Sequence, residues 1–365
     1  MKVMFRISKM GFGGAEQVFI SLAKYLTIKH KYEVCFVVDK SQGDNIGEPE
    51  KLGCSVISLN VRRNFLSFLP FIKAINNFKP DVIISAYTDT NAVCMMSSLF
   101  SQHKAKVILT EHASLYEHWK SKGFFKVLIL KFYVKFIYRL ASKVVCVSNG
   151  LSNQVKELMG YNSDIKTIYN PVRKIECIGF SNKNESVINL LAVGRISKPK
   201  DYLTLIKAVA EIKKTHMVNL NIVGGVFDKI EYNNIVLLVN KIGLQNEVNF
   251  VGYTEQLGIF YKNADVFVLC SAWEGFGNVL VEALSFGLPI VSTDCNFGPR
   301  EILENGNYGL LVPVGDFKML ANAIIEQYTN PIHKKSDLIN RSESFSEIKI
   351  GNEYHDLINE VCYGK

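Results

Sequence analysis

No two of the eight cysteines form a C-x-x-C pair; they stand apart at Cys35, Cys54, Cys94, Cys146, Cys177, Cys270, Cys295 and Cys362. Several fall in apolar runs such as KVVCVS and FVLCS. They read as buried, reduced thiols in a reducing compartment, not as a zinc site or a disulfide frame. There is no D-x-D, and no His, Asp or Glu cluster has metal-ligand spacing, so no bound metal is implied. No window offers about 18 uncharged apolar residues, so no transmembrane helix is expected. The opening MKVMFRISKMGFGG has the basic start of a signal peptide, but glycines interrupt its apolar stretch after a few residues. Zinc-finger spacing and aromatic-basic RNA-binding runs are also missing, which argues against a nucleic-acid partner.

What is present is a chain of 365 residues, 48% hydrophobic and 21% charged. That fits a soluble globular protein with about two domains. Its charge is uneven. Residues 1–170 carry 23 Lys and Arg against 12 Asp and Glu, a net of +11, and the remainder a net of −3. The basic half should face something anionic, such as a membrane surface or a phosphorylated substrate.

Short apolar strands alternate with amphipathic helices. KVMFRIS, YEVCFVVD, CSVISL, DVIISA, KVILTEH and KVVCVS precede a polar break at 170–186; INLLAVG, VNLNIVGG, VNFVGY, DVFVLCS and PIVSTD follow it. The pattern predicts an α/β protein with two doubly wound, Rossmann-like domains, each a parallel sheet covered by helices. In such sheets ligands bind outside the carboxyl ends of the strands. The expected organisation is an N-terminal domain over 1–170, a C-terminal domain over 171–344, and a last helix within 345–365.

Four motifs sit at strand ends. In WEGFGNVLVEALSFGLPIV, Glu274 and Glu282 are eight residues apart. Gly275 and Gly277 allow a sharp turn. Asn278, Val279 and Leu280 then open a helix whose free N–H groups suit a phosphate. Carboxylates at these places can accept hydrogen bonds from a vicinal diol, though Glu282 could merely complement the helix dipole. LLAVGRISKPKDYL supplies Arg195, Lys198 and Lys200. Arg195 with either lysine could hold one diphosphate, or the loop could simply be solvated. SKMGFGGAEQVF places Gly13 and Gly14 between a strand and a helix, but Glu16 breaks the dinucleotide fingerprint and no G-K-[ST] follows. In ILTEHAS, His112 ends a strand after Glu111. It could bond a sugar hydroxyl or a phosphate, or be packed in the core.

Taken together, G-G-A-E at Gly13–Glu16, strand-end His112, VGR followed by Lys200, the E-x7-E pair and GPREILENGNYGLLVPVGD resemble the retaining GT-B glycosyltransferases of family 4. The resemblance covers nearly the whole chain. It implies a GT-B fold, a nucleotide-diphosphate sugar bound mainly by the second domain, and an acceptor bound mainly by the first. It further implies transfer with retention, without a metal or any cofactor beyond the donor, which is expected to be UDP-linked. Carried over, Arg195 and Lys200 would stabilise the leaving diphosphate. Glu282 would hold the ribose. Glu274 and the backbone at Phe276 and Gly277, ahead of Asn278, Val279 and Leu280, would hold the donor sugar. His112 would face that sugar, Tyr253 would meet the base, and Gly14 would back the substrate. The family has Gly after the lysine, where this chain has Asp201. The last helix would cross back to the first domain.

For the acceptor, FFKVLILKFYVKFIYRLASK sets Lys131, Lys135, Arg139 and Lys143 four apart. On one helix they would make a basic stripe, either a solvated edge or a contact with anionic lipid. Arg62 and Arg63 offer a second basic candidate. GPREIL is further similar to bacterial members that build surface polysaccharides on polyprenyl diphosphate. The expectation is a cytoplasmic enzyme, peripheral on the inner membrane face, that extends a lipid-diphosphate-linked saccharide. A soluble acceptor, a non-catalytic sugar-nucleotide scaffold and a Rossmann oxidoreductase remain as alternatives, the last disfavoured by Glu16.

Overall fold

The computed structural model describes residues 1–364 apart from Phe12, Gln42, Asp44, Ser121, Tyr161, Asn162 and 177–185, and without the side chain of His118. Much of the expected linker, with Cys177, lies outside these residues.

The chain divides into two units, Met1–Val172 with Ser346–Lys365, and Arg173–Phe345. In the first, β1 (Lys2–Arg6), β2 (Glu33–Val38), β3 (Ser55–Ser58), β4 (Val82–Ala86), β5 (Lys106–Glu111), β6 (Lys143–Cys146) and β7 (Ile165–Thr167) form one sheet in the order β3-β2-β1-β4-β5-β6-β7. In the second, β8 (Ile188–Val193), β9 (Val218–Val223), β10 (Val248–Gly252), β11 (Val266–Leu269), β12 (Ile290–Thr293) and β13 (Leu310–Val312) run in the order β10-β9-β8-β11-β12-β13. All pairings are parallel, with Val3 opposite Val34 and Val82 in one sheet, and Leu190 opposite Leu220 and Val266 in the other. Every residue of β4, β11 and β12 is buried, so both faces of the central strands are covered. That is why they read as continuous apolar runs and not as alternation. The three-residue strands β7 and β13, absent from the sequence expectation, occupy sheet edges, where a short segment leaves little periodic signal.

Each sheet reverses its strand order once, at β1/β4 and at β8/β11. Chain leaving the two strands at such a point departs toward opposite faces and leaves a crevice at their carboxyl ends.

Each unit has its own core. The first unit's core includes Ile350, Tyr354, Leu357 and Ile358 from the last helix, Glu347–Tyr363. Gly351 permits this packing. A side-chain carbon there would lie 2.5 Å from the Tyr25 ring, in the helix Gly14–His30. His355 stacks on His30 with ring centres 3.6 Å apart, and its Nδ1 lies 3.0 Å from the Tyr32 hydroxyl.

Candidate active site

In the second unit, Gly194 and Arg195 follow β8 and the segment 270–277 follows β11, so both line the β8/β11 reversal. Backbones crowd there. A side-chain carbon on Gly224 would stand 2.1 Å from the Gly194 carbonyl oxygen. The Tyr202 hydroxyl donates to that same oxygen at 2.9 Å, tying the loop to the helix Tyr202–Ile212.

Lys200 closes the short turn Lys198–Lys200, and its ammonium reaches the carboxylate of Glu274 at 2.5 Å. The Ser271 hydroxyl donates to the same oxygen at 2.6 Å. Both partners are mostly buried, with side-chain exposures of 18% and 12%. Lys198, at the other end of the turn, is exposed and acts electrostatically on Glu231. The geometry thus distinguishes the two lysines. Asp201, where the resemblance leads one to expect Gly, has φ 44° and ψ 47°. That left-handed backbone favours Gly; Asp is among the few other residues that visit it. Asp201 also caps the following helix, its carboxylate accepting from the Thr204 N–H at 3.4 Å and the Thr204 hydroxyl at 2.7 Å.

The loop carrying Glu274 is held by backbone. The Glu274 N–H donates to Asn296 at 2.8 Å, and the Phe297 N–H donates to the Glu274 carbonyl at 3.2 Å. Gly298, in the GPREI segment, has φ 98°, and a side-chain carbon there would lie 1.8 Å from the Phe276 carbonyl oxygen. The Phe276 ring is buried edge-on to Phe345. Gly277, at φ 100°, precedes the helix Asn278–Ser285 and provides no side-chain cap. Leu280 is wholly buried, while Asn278 and Val279 are partly exposed. One turn on, Glu282 accepts from the Tyr261 hydroxyl at 2.7 Å. Burial raises the Glu282 carboxyl above the ordinary range, opposed by the Tyr261 hydrogen bond and the charges of Arg173 and Lys200. Arg195 is exposed, its guanidinium 4.8 Å from the centre of the Phe227 ring. Tyr253, just beyond β10, is 55% exposed.

The first unit is built differently. His112 follows β5 and is buried, with Nε2 2.8 Å from the Thr110 hydroxyl. Because that hydroxyl donates to the Ser85 carbonyl, it can only accept from His112. Nε2 therefore carries the proton and Nδ1 is an acceptor, without a partner among the described residues. Burial pushes the imidazole pKa down to about 3, so the ring is neutral. Its neighbour Glu111 is also buried, accepting from the Tyr138 hydroxyl and, at 3.1 Å, from Asn91. Desolvation pushes its carboxyl up to about 7. At the start of the helix Gly14–His30, the Glu16 carboxylate folds back so closely that a side-chain carbon on Gly13 would meet it at 2.1 Å. Both the glycine and the glutamate of G-G-A-E are thereby accounted for.

Two family models match nearly end to end: Glycosyltransferase Family 4 over residues 12–174 and Glycosyl transferases group 1 over 175–345. The chain belongs to the GT-B glycosyltransferases of the family 4 type. A relative in Campylobacter jejuni is 26% identical over 99% of both chains; it is named as the α-1,4-N-acetyl-D-galactosaminyltransferase acting on GalNAc-alpha-(1->4)-GalNAc-alpha-(1->3)-diNAcBac-PP-undecaprenol. A second from the same organism, an N-acetylgalactosamine-N,N'-diacetylbacillosaminyl-diphospho-undecaprenol 4-alpha-N-acetylgalactosaminyltransferase, is 26% identical over 95% of this chain and 96% of its own. Anabaena HepE, solved with UDP and glucose, superposes with TM-score 0.81 at 21% identity over 99% of this chain and 100% of its own, a likeness of fold.

In this glycosyltransferase the four-residue basic spacing does not make one stripe. The helix Phe124–Phe132 continues through a π-helical segment, Tyr133–Ile137, and a 3₁₀ turn, Tyr138–Leu140. Lys143 lies beyond it, at the start of β6, and pairs with Asp164 at 2.5 Å and Glu360 at 2.9 Å. Arg139 donates to the Met159 carbonyl. Lys131 and Lys135 are exposed on the helical segment. Reading along the sequence also missed Tyr261, Ser271 and Arg173, which hold or face the two glutamates. None belongs to a motif; Ser271 follows β11, Tyr261 comes from the helix Leu257–Asn263 and Arg173 from the connection ahead of β8, and only the fold brings them together.

Proposed function

We propose that this glycosyltransferase moves a hexose or N-acetylhexosamine from a nucleotide-diphosphate sugar, UDP-linked, to a hydroxyl of a polyprenyl-diphosphate-linked saccharide, with retention at the anomeric carbon. The observation that carries the reading is the Lys200–Glu274 pair at the β8/β11 reversal, with Arg195 in the same loop as Lys200. As the bond between the anomeric carbon and the diphosphate oxygen breaks, that oxygen takes the electron pair and gains charge. Fixed cations stabilise such charge without reorganising. Arg195 and Lys200 are assigned this task, aided by the N–H groups opening the helix at Asn278. The acceptor hydroxyl forms the new bond on the face the diphosphate leaves, and its proton passes to a leaving-phosphate oxygen. No second carboxylate is required, unlike in a retaining hydrolase.

Glu282, oriented by the Tyr261 hydroxyl, is assigned to the ribose. Glu274 and the backbone at Phe276 and Gly277 are assigned to the donor sugar, and Tyr253 to the base. A neutral His112, with Nδ1 as acceptor, suits a sugar hydroxyl and not a role as general acid near pH 7. Gly14 backs the substrate. The lipid-linked acceptor draws support from the named substrates of the two Campylobacter relatives and from the net charge of +11 over residues 1–170. No helix among the described residues is long and apolar enough to cross a membrane. The proposed location is peripheral, on the inner face of the cytoplasmic membrane.

The test incubates the protein with a panel of sugar nucleotides, with and without extracted membrane lipid, and follows nucleoside diphosphate release. One donor should turn over, faster with lipid. Release from none, with or without lipid, would defeat the proposal.

A further inference from the structure

A helix lying on a sheet ordinarily turns its apolar side inward and a polar side to water. The segment Phe124–Leu140 does not. Leu130, Val134 and Tyr138, four apart, point inward and are buried. The opposite side is apolar as well. Phe125, Leu128, Phe132 and Phe136 follow at spacings of three, four and four, which makes one outward ridge. Their exposures are 79%, 57%, 53% and 47%. The rings of Phe132 and Phe136 lie 4.8 Å apart, so the ridge is continuous there. Lys131 and Lys135 flank it, and the Lys135 ammonium sits 5.5 Å from the centre of the Phe136 ring. Soluble proteins rarely leave so large a contiguous apolar patch to water.

The surrounding charge indicates what covers it. Between Glu117 and Glu157 the sequence has no acidic residue against eight Lys and Arg; Lys120, Lys122, Lys126 and Lys143 are paired with acids, while Lys131 and Lys135 beside the ridge have no ion pair among the described residues. A second copy would bring like charge against like. An anionic bilayer instead offers acyl chains to the phenylalanines and lipid phosphates to lysines whose stems can lie along the ridge.

We infer that Phe124–Leu140 lies in the plane of an anionic membrane interface, with Phe125, Leu128, Phe132 and Phe136 inserted among the lipids. This deepens the proposed lipid-linked reading and rests on it for purpose. It differs from attraction by charge alone in one measurable way: part of the binding should survive salt that collapses the Debye length to about 3 Å, near 1 M.

The full chain is sedimented with vesicles of phosphatidylcholine, with and without phosphatidylglycerol, at low salt and near 1 M. Wild type should bind the anionic vesicles at low salt and keep a measurable fraction near 1 M. Combined Phe125→Ser, Leu128→Ser and Phe132→Ser should weaken binding about tenfold or more at both salts. Lys131→Gln with Lys135→Gln should remove only the salt-sensitive part. Emission of Phe132→Trp should shift to the blue on anionic vesicles relative to the same comparison in wild type. Vesicle binding unchanged by the serine variant, or an unshifted tryptophan, overturns the inference. So does a serine variant that loses only self-association in sedimentation equilibrium, which would assign the ridge to a second copy. Because these readouts use no sugar donor, a failure here with donor turnover intact leaves the transferase reading standing. Intact vesicle binding with no turnover would do the reverse.

Discussion

The two sheets reverse strand order in the same way, yet the polar groups at their rims differ in kind. At the second sheet, Lys200 and Glu274 form an ion pair and Arg195 stands exposed. At the first, His112 and Glu111 are buried and held toward their neutral forms, with pKa values of about 3 and about 7. One rim keeps fixed charge where a leaving anion would form. The other keeps neutral donors and acceptors at the end of β5, which suit hydroxyl groups, and confines its charge to a buried Arg6–Asp39 pair at the ends of β1 and β2. The contrast comes from burial, since the winding is shared. Charged side chains survive where they are paired or reach water, and lose their charge where desolvation goes uncompensated.

The sharpest way to break this comparison is to remove charge from the second rim. Lys200→Ala and Arg195→Ala should each cost about 2–4 kcal/mol of transition-state stabilisation, roughly thirtyfold to a thousandfold in turnover. Lys198→Ala should stay close to wild type, because its side chain is exposed and acts on Glu231 instead of Glu274. Steady-state kinetics with the preferred donor, beside thermal unfolding, separates lost catalysis from lost fold. Equal losses at Lys198 and Lys200 would erase the distinction between them.

The first rim can be tested through pH. The folded pKa of His112, about 3, lies below the ordinary 6.5, so its contribution to stability is whole above pH 6.5 and drains away as pH falls. The folded pKa of Glu111, about 7, lies above the ordinary 4.5, so its contribution is whole below pH 4.5 and is lost as pH rises toward 7. Each should change stability by at most ~1.4 kcal/mol per pH unit within its window. In unfolding midpoints measured across pH, the two slopes oppose each other between pH 4.5 and 6.5; His112→Gln should remove the rise with pH below 4.5 and expose the Glu111 fall from 4.5 to 7, whereas Glu111→Gln should extend the His112 rise up to pH 6.5. Identical profiles for both variants and wild type would show that the two groups titrate normally.

A smaller effect is expected at Asp201. Asp201→Ala removes the cap on Thr204 and leaves a β-carbon in a left-handed conformation, a loss of about 2 kcal/mol from the two terms together. Asp201→Gly should stay within about 1 kcal/mol of wild type, since Gly relieves the backbone as it gives up the cap. Chemical denaturation measures both. The smallest effect is none: turnover should be unchanged by EDTA, because the assigned leaving-group stabilisers are side chains and backbone N–H groups. Activity lost with EDTA and restored by magnesium or manganese would transfer that task to an ion.

These tests fall on residues whose visibility in the sequence differed sharply. The strands were plain because β4, β11 and β12 are buried throughout and mostly apolar, and the glutamate pair stood out by its spacing around glycines. Strands β7 and β13 were not legible, since three residues at a sheet edge carry no periodicity. Tyr261 was hidden in an ordinary amphipathic helix, and its bond to Glu282 spans 21 positions. The outward ridge at Phe125–Phe136 was masked for a related reason. An apolar run reads as helix core, and only the fold reveals that Leu130, Val134 and Tyr138 alone fill the inward side. Lys143 misled because four-residue spacing says nothing of where a helix stops.

The return of the last helix to the first unit has a consequence during synthesis. The first unit's strands emerge from the ribosome before the second unit, but Ile350, Tyr354, Leu357 and Ile358 emerge after it. The later-made unit can therefore finish folding first, while the earlier one waits with an uncovered apolar strip along the helix Gly14–His30. For the time needed to translate some 170 residues, roughly ten to thirty seconds at bacterial and eukaryotic rates of about 5–20 residues per second, that strip is a surface for chaperones to hold.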